Sequence, residues 1–173
     1  MTNQEKTTIL TNLQNSESKL LKSFEHVSDE VFNSKVTEAD WSIANIVEHL
    51  IKVEKGVVAS MEKNKGNKEL IPNKLNEQIQ SLLTNPMARK ATSPEPFLPS
   101  GIFSNKMEAI TAFKEHRSWL RNYVETSDRV WENFGFRHFL IGQLNGKDTI
   151  GFINGHCLRH IVQINHILNQ ISK

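Results

Sequence analysis

The sequence predicts an all-α fold, a four-helix bundle with one long crossover connection, on three observations. Four stretches of the 173-residue chain carry apolar residues at helical spacing with polar residues between them. No stretch shows the alternation of apolar and polar residues that is typical of a half-buried strand. Between the second and third stretches, prolines prevent a helix from continuing. A chain of this length is expected to form a single domain, residues 1–173, with a buried core.

The first two predicted helices cover residues 5–27 and 41–63. The segment between them interrupts the helical period. Either Asp40 or Ser42 is suited to cap the second helix, because a short side chain with an oxygen accepts a bond from a free backbone N–H. The second helix has a broad apolar stripe that must face a core. Its members are Ile43, Ile46, Val47, Leu50, Val57, Val58 and Met61.

The crossover is predicted over residues 64–103, with a short helical segment near 73–84. Such a long connection is either a plain surface loop or a functional lid. The third helix is predicted over 104–126 and the fourth over 148–170, each with one apolar face. Between them, residues 131–146 are rich in aromatic residues and contain glycine, and no regular element is predicted there.

Composition limits the functions that the chain can have. Lysine and arginine number 21 and aspartate and glutamate 19, so the net charge of +2 predicts no nucleic-acid partner. The amino terminus lacks a signal-peptide pattern and no apolar run reaches the roughly 18 residues that span a bilayer, so a cytoplasmic protein without a membrane partner is expected. The single cysteine, Cys157, excludes an internal disulfide and a cysteine-based zinc cluster, and is expected to be buried. Any metal must therefore be held by histidines and carboxylates.

Two of the seven histidines stand at a spacing that suits a metal ion. His156 and His160 are four residues apart, which places them about 40° apart on one helix face, one turn above the other. The pair alone is a weak signal, because no glutamate follows the first histidine as in HExxH metalloproteases. Both lie on or beside the apolar stripe, where a buried imidazole needs partners. The histidines without a partner at ligand spacing are predicted to be structural or solvated, namely His26, His116, His138 and His166.

A third ligand would have to come from another helix, and His49 lies at the edge of the stripe on the second helix. Gly56, two turns later on the same side, leaves space beside it. The alternative is a boundary histidine that hydrogen-bonds to a neighbouring helix. Spacing alone does not decide between the two interpretations.

Two sequence motifs resemble a known family. WSIANIVEHL, residues 41–50, resembles the W-S-x6-H-L signature of the DinB-like superfamily, and GHCLRHIVQI, residues 155–164, resembles its H-x-x-R-H-x-x-Q-I signature. The resemblance covers nearly the whole chain in helix order and implies a four-helix bundle with a long crossover. It also implies that His49, His156 and His160 hold one divalent metal ion with open positions, as in catalytic sites.

The resemblance implies a metal-dependent enzyme, a thiol S-transferase or a hydrolase, that acts on a small electrophilic molecule. Family members with this layout include transferases for low-molecular-weight thiols such as bacillithiol, and mycothiol-dependent isomerases, so a thiol is an expected partner. Nickel or zinc is the expected metal, and iron and manganese also accept imidazole ligands. The alternatives are a non-catalytic metal-binding or stress-response bundle, and a protein in which the histidines are core residues without metal.

Four further side chains are candidates for accessory roles. Gln163 faces the same side as His160 and either fixes a ligand ring or bonds another helix. Glu54 lies within an apolar stripe, where a carboxylate is costly unless it is paired or near a metal, so it is a candidate catalytic base or fourth ligand. Arg117 is a candidate clamp for an anionic substrate, unless it pairs with Glu54. Asn45, one turn before the third histidine, either lines the pocket or is exposed.

The far side of the fourth helix carries apolar residues that are predicted to be exposed, Phe152, Leu158 and Val162. Exposed apolar residues that lie together are typical of association surfaces. They are therefore candidates for a homodimer interface.

Overall fold

In the computed structural model, residues 1–63, 71–72, 93–139 and 141–171 are described, and the helical segment predicted near 73–84 lies outside them. The described residues form four long helices, and this confirms the predicted four-helix bundle. A short helix lies between the first two long ones, and a 3-10 turn precedes the third. The helices are α1 (Asn3–Ser23), α2 (Asp29–Asn33), α3 (Ile43–Lys63), α4 (Lys106–Thr126) and α5 (Gly146–Ile171), and the 3-10 turn is Glu95–Phe97.

Several helix ends differ from the predicted ones, and side-chain caps fix two of the observed starts. The α3 helix is capped by Ser42 rather than Asp40, because Ser42 Oγ accepts from the Asn45 backbone N–H at 3.2 Å and Asn45 Oδ1 accepts from the Ser42 N–H. The Asp40 carboxylate accepts from the Thr37 hydroxyl instead. At the start of α4, Asn105 Oδ1 accepts from the Glu108 N–H. The first helix ends at Ser23, four residues before its predicted end.

Each of α4 and α5 packs against both α1 and α3, so that α3 and α5 are neighbours in the bundle. This arrangement brings the residues of the first motif, at the start of α3, to the side of α5 that carries the second. The core is built from the predicted apolar stripes, and all four long helices contribute fully buried apolar side chains to it, for example Leu13, Ile46, Phe113 and Ile153. The neighbouring positions of α3 and α5 determine where the candidate site lies.

A two-stranded antiparallel hairpin, which the sequence pattern did not predict, occupies much of residues 131–146. Strands β1 (Gly135–His138) and β2 (Gly142–Asn145) pair with Gly135 opposite Asn145 and His138 opposite Gly142. A Cβ atom at Gly135 would lie 1.8 Å from the Leu144 carbonyl oxygen, so only glycine fits there. The hairpin packs against α3 and α5. It therefore places His138 beside the helix that carries two of the candidate ligands.

Among the described residues, no helix is both long enough and apolar enough to cross a membrane.

Candidate metal centre

The fold brings the three predicted ligands together. His49 projects from α3 and His156 and His160 from α5, and one nitrogen of each lies within 4.8 Å of the others. The Nε2 atoms of His156 and His160 are 3.1 Å apart. His49 and His160 are buried, and His156 is half-buried. Two ligands one turn apart on one helix and a third from the neighbouring helix thus form one compact group.

Carbonyl oxygens orient two of the three rings. His49 Nδ1 lies 2.8 Å from the backbone oxygen of Phe97, and His160 Nδ1 lies 2.9 Å from Oε1 of Gln163. A carbonyl oxygen only accepts, so each Nδ1 carries the proton and each Nε2 keeps its lone pair free. This is the arrangement in which outer hydrogen bonds fix the tautomer of metal-ligating histidines. Of the two alternatives left open for Gln163, the structure shows the hydrogen bond to a ligand ring.

The residues fit a metal ion. In a tetrahedral zinc site with Zn–N distances of about 2.0–2.1 Å, ligand nitrogens lie about 3.3 Å apart, close to the separation of the two Nε2 atoms. Two neutral rings that present lone pairs to each other repel unless a proton or a cation lies between them. His156 Nδ1 is buried and has no hydrogen-bond partner within the described part of the chain, so no other group fixes the tautomer of this ring. Three imidazole nitrogens suit a divalent transition-metal ion.

Burial keeps the three rings neutral at physiological pH. It lowers the pKa of His49, and it lowers the pKa of His160 to about 3, with the charge of protonated His49 adding to the effect. Burial also holds the pKa of His156 well below its usual range. Because only a neutral imidazole can donate a lone pair to a cation, the site is ready for a metal without prior loss of protons.

Aromatic side chains form the walls of the centre. The Trp41 ring lies 4.7 Å from the His49 ring, and Phe152 stacks on His156 with ring centroids 5.6 Å apart. Phe152 is buried, so the prediction that it lies on an exposed surface is wrong. Of the three residues predicted to form that surface, only Val162 is exposed. The homodimer therefore stays a prediction. His138 packs against the other side of the wall, 4.8 Å from the Phe152 ring. The spacing of the histidines in the sequence did not indicate that His138 lies near the centre, because His138 belongs to the hairpin, which was not predicted.

Glu54 lies outside the histidine group, although it was a candidate base or fourth ligand. Its Oε1 accepts from Arg117 at 2.7 Å and its Oε2 from His116 Nε2 at 3.0 Å. Arg117 also donates to Ser16, and both charged side chains are fully buried. The structure thus shows the ion pair that was the alternative for both residues, rather than a base and an anion clamp. It also places His116 in a structural role, as predicted for that histidine.

Asn45 is half-buried and its side chain is engaged in the cap of α3. The cap uses Oδ1 of Asn45 and leaves its NH2 group unassigned, so the role of Asn45 in lining a pocket stays a prediction. The alternative of an exposed side chain is wrong, because Asn45 is half-buried.

Glu48, which sequence analysis did not single out, is a buried carboxylate next to His49. Burial opposes its ionisation, but hydrogen bonds from Lys52 and from residues 100–102 outweigh that cost and lower the pKa of Glu48 to about 2. Its backbone partners, Ser100, Gly101 and Ile102, lie some 50 residues away in the crossover. Helix periodicity carries no information about contacts between distant segments. The only indication of Glu48 in the sequence was that a charged residue directly precedes a predicted ligand.

Cys157 is fully buried and its Sγ lies 3.8 Å from the Ser16 carbonyl oxygen. Burial raises the pKa of the Cys157 thiol to about 12. At about pH 8 the thiolate fraction is then roughly 1,000-fold lower than in an unfolded chain, so we expect alkylation by iodoacetamide to be slower by at least that factor. Mass spectrometry of native and urea-unfolded protein measures both rates. Equal rates would contradict an inert cysteine and would suggest a nucleophile within the chain.

A helical bundle with three convergent histidines on two neighbouring helices is typical of a metal-binding protein. Residues 12–164 match the DinB superfamily, and the chain belongs to that family. Among solved structures, the fold is similar to YfiT from Bacillus subtilis, described as "a probable metal-dependent hydrolase with an unusual four-helix bundle topology". The TM-score is 0.60 and the identity 15%, over 99% of this chain and 90% of that one. No curated protein matches the sequence.

Proposed function

We propose that this protein is a metal-dependent enzyme that activates water or a small thiol for attack on a small electrophilic molecule. The proposal rests on one observation, the group of three histidines whose ligand atoms lie within 4.8 Å of one another. The description of YfiT as a probable metal-dependent hydrolase agrees with this function. Zinc or nickel is the proposed metal, because three imidazole nitrogens suit both.

Three protein ligands are typical of catalytic rather than structural zinc sites, which are closed by four. A divalent cation held by neutral imidazoles supplies Lewis acidity, which lowers the pKa of a water or a thiol that it coordinates. No carboxylate joins the histidine group within the described residues, so the cation would keep its full charge. Hydrolysis and thiol transfer therefore share the same requirement at this site.

The surrounding residues have separate roles in the proposed reaction. Phe97 and Gln163 orient His49 and His160 through their oxygens. Trp41 and Phe152 pack against the ligand rings and limit access of water from two sides. Because Cys157 is buried with a raised pKa, the thiol of a transfer reaction comes from a second substrate.

The test uses untagged protein, loaded with zinc or nickel or stripped with a chelator. Two probes separate the reactions: hydrolysis of p-nitrophenyl acetate, and conjugation of cysteine or bacillithiol to 1-chloro-2,4-dinitrobenzene. We expect metal-dependent turnover of one probe, lost on chelation and in His49→Ala but kept in the control His26→Ala, whose side chain is exposed. One metal ion per chain without metal-dependent turnover of either probe would favour a non-catalytic metal-binding bundle.

A further inference from the structure

We infer that Glu48 is a positioning residue for the metal centre, which acts through residues 97–102 of the crossover to orient His49. The inference rests on the proposed metal site and adds a residue that neither family signature includes. Glu48 itself is not a ligand, because its carboxylate is directed at the crossover backbone. Its effect on the centre passes through a chain of hydrogen bonds.

The first step of that chain is a clamp on the turn formed by residues 100–102. Glu48 Oε1 accepts from the Ser100 N–H and hydroxyl, both at 2.8 Å. Glu48 Oε2 accepts from the N–H groups of Gly101 at 2.8 Å and Ile102 at 3.2 Å. The φ angle of Gly101 is +78°, a conformation that glycine adopts without strain and that lets successive N–H groups point to one anion. A buried carboxylate with four donors fixes the position of this turn.

The second step is Lys52, one helical turn after Glu48. Its ammonium lies 2.7 Å from Glu48 Oε1 and donates to the Leu98 carbonyl at 2.9 Å and to the Ser100 hydroxyl at 3.1 Å. Lys52 thus compensates the charge of Glu48 and extends the clamp toward residue 97. Charge-assisted bonds of this kind are stronger than neutral ones.

The third step reaches the ligand. The carbonyl of Phe97, adjacent to the clamped Leu98, accepts from His49 Nδ1 at 2.8 Å. On the other side, the Phe97 ring lies over Gly56, where an added Cβ atom would be 2.4 Å from the ring. The 97–102 segment is therefore held on α3 at both ends, and the carbonyl that sets the His49 tautomer is held between them. Outer partners of metal-ligating histidines typically change metal affinity 10–100-fold when they are lost.

The decisive variant is Glu48→Gln, which keeps the shape of the side chain but presents an NH2 group to backbone donors. Glu95→Gln is the control, the same substitution at an exposed position of the crossover, two residues before Phe97. Long-range proton–nitrogen NMR spectra of the metal-free protein report the His49 tautomer, and titration with Co2+ gives the dissociation constant and the visible absorption spectrum. We expect Glu48→Gln to lose the single Nδ1-protonated tautomer, to bind Co2+ about tenfold more weakly and to alter the Co2+ spectrum, while Glu95→Gln matches the wild type.

Lys52→Met keeps the aliphatic stem of a partly exposed side chain and is expected to change the same readouts in the same direction by less. If Glu48→Gln does not fold, the Lys52→Met variant provides the test in its place. An unchanged His49 tautomer in the folded variants overturns the inference, as does unchanged Co2+ affinity where the wild type binds Co2+. If the wild type binds no Co2+, the result contradicts the proposed function rather than the role of Glu48. The comparison of the His49 tautomer in the wild type and in the variants then tests the role of Glu48 by itself.

Discussion

Replacing His160 by alanine is expected to abolish stoichiometric binding of zinc or nickel. His160 is buried, and its Nε2 lies 3.1 Å from that of His156, so the substitution removes a ligand and leaves two. Loss of an outer-sphere partner costs about 10–100-fold in metal affinity, and loss of a ligand is expected to cost at least about 100-fold. Metal analysis of untagged protein after gel filtration measures the stoichiometry.

The same variant is expected to lose thermal stabilisation by metal. At a metal concentration about 100 times the dissociation constant, the wild type gains about 2.7 kcal/mol in free energy of unfolding. That corresponds to an increase in Tm of about 5–10 °C for a chain of this size. The matched control is His166→Ala, an exposed histidine on the same helix, which should keep both the stoichiometry and the shift. A stoichiometric metal ion in His160→Ala would disprove the three-histidine site.

Replacing Arg117 by alanine is expected to lower the free energy of unfolding by about 3–5 kcal/mol, because Glu54 is left buried and largely uncompensated. Arg117 and Glu54 are fully buried and 2.7 Å apart. Burial disfavours the charged guanidinium, but the attraction of Glu54 outweighs it and raises the pKa of Arg117. The Arg117 guanidinium also lies 5.0 Å above the Phe113 ring, so packing is lost together with charge. Urea unfolding followed by circular dichroism measures the change.

The control for this prediction is Arg121→Ala, one turn later on α4. Arg121 pairs with Glu17, and both side chains are partly exposed to solvent, so its loss should cost at most about 1 kcal/mol. The double variant Glu54→Gln with Arg117→Met removes both charges and keeps a hydrogen-bond acceptor for His116. It should recover much of the lost stability. Equal effects of the Arg117 and Arg121 substitutions would contradict the assignment of a buried structural ion pair.

The sequence determined what depends on local spacing. Apolar residues at a period near 3.6 identified the four long helices, because each helix must bury one face whatever its partners are. The four-residue interval of His156 and His160 placed both on one side of α5 for the same reason. His49 could be assigned to the same site only through the resemblance of two motifs to a family. The position of one histidine on another helix does not show which helices are neighbours.

Tertiary structure decided what depends on contacts between distant residues. Glu54 and Arg117 pair with each other because α3 and α4 are neighbours in the bundle. The sequence could not decide between this pair and the functional alternatives, because no local feature of a charged side chain in an apolar stripe indicates which residue it will contact. The hairpin that carries His138 has short strands and a weak alternating pattern. Phe152 seemed exposed from the helical wheel, but an element absent from the prediction covers it.

By itself the sequence determined the four long helices, the helix faces and the three candidate ligands, because these follow from periodicity and from motifs within single segments. Only the tertiary structure decided how the ligand rings are oriented. The bonds of His49 to Phe97 and of Glu48 to Ser100 and Gly101 join α3 to a crossover segment about 50 residues away. They use backbone carbonyl groups, which every residue carries, and backbone N–H groups, which every residue except proline carries. Since nothing in the identity of a residue reveals a bond to the main chain, this support for the metal centre became visible only in the folded protein.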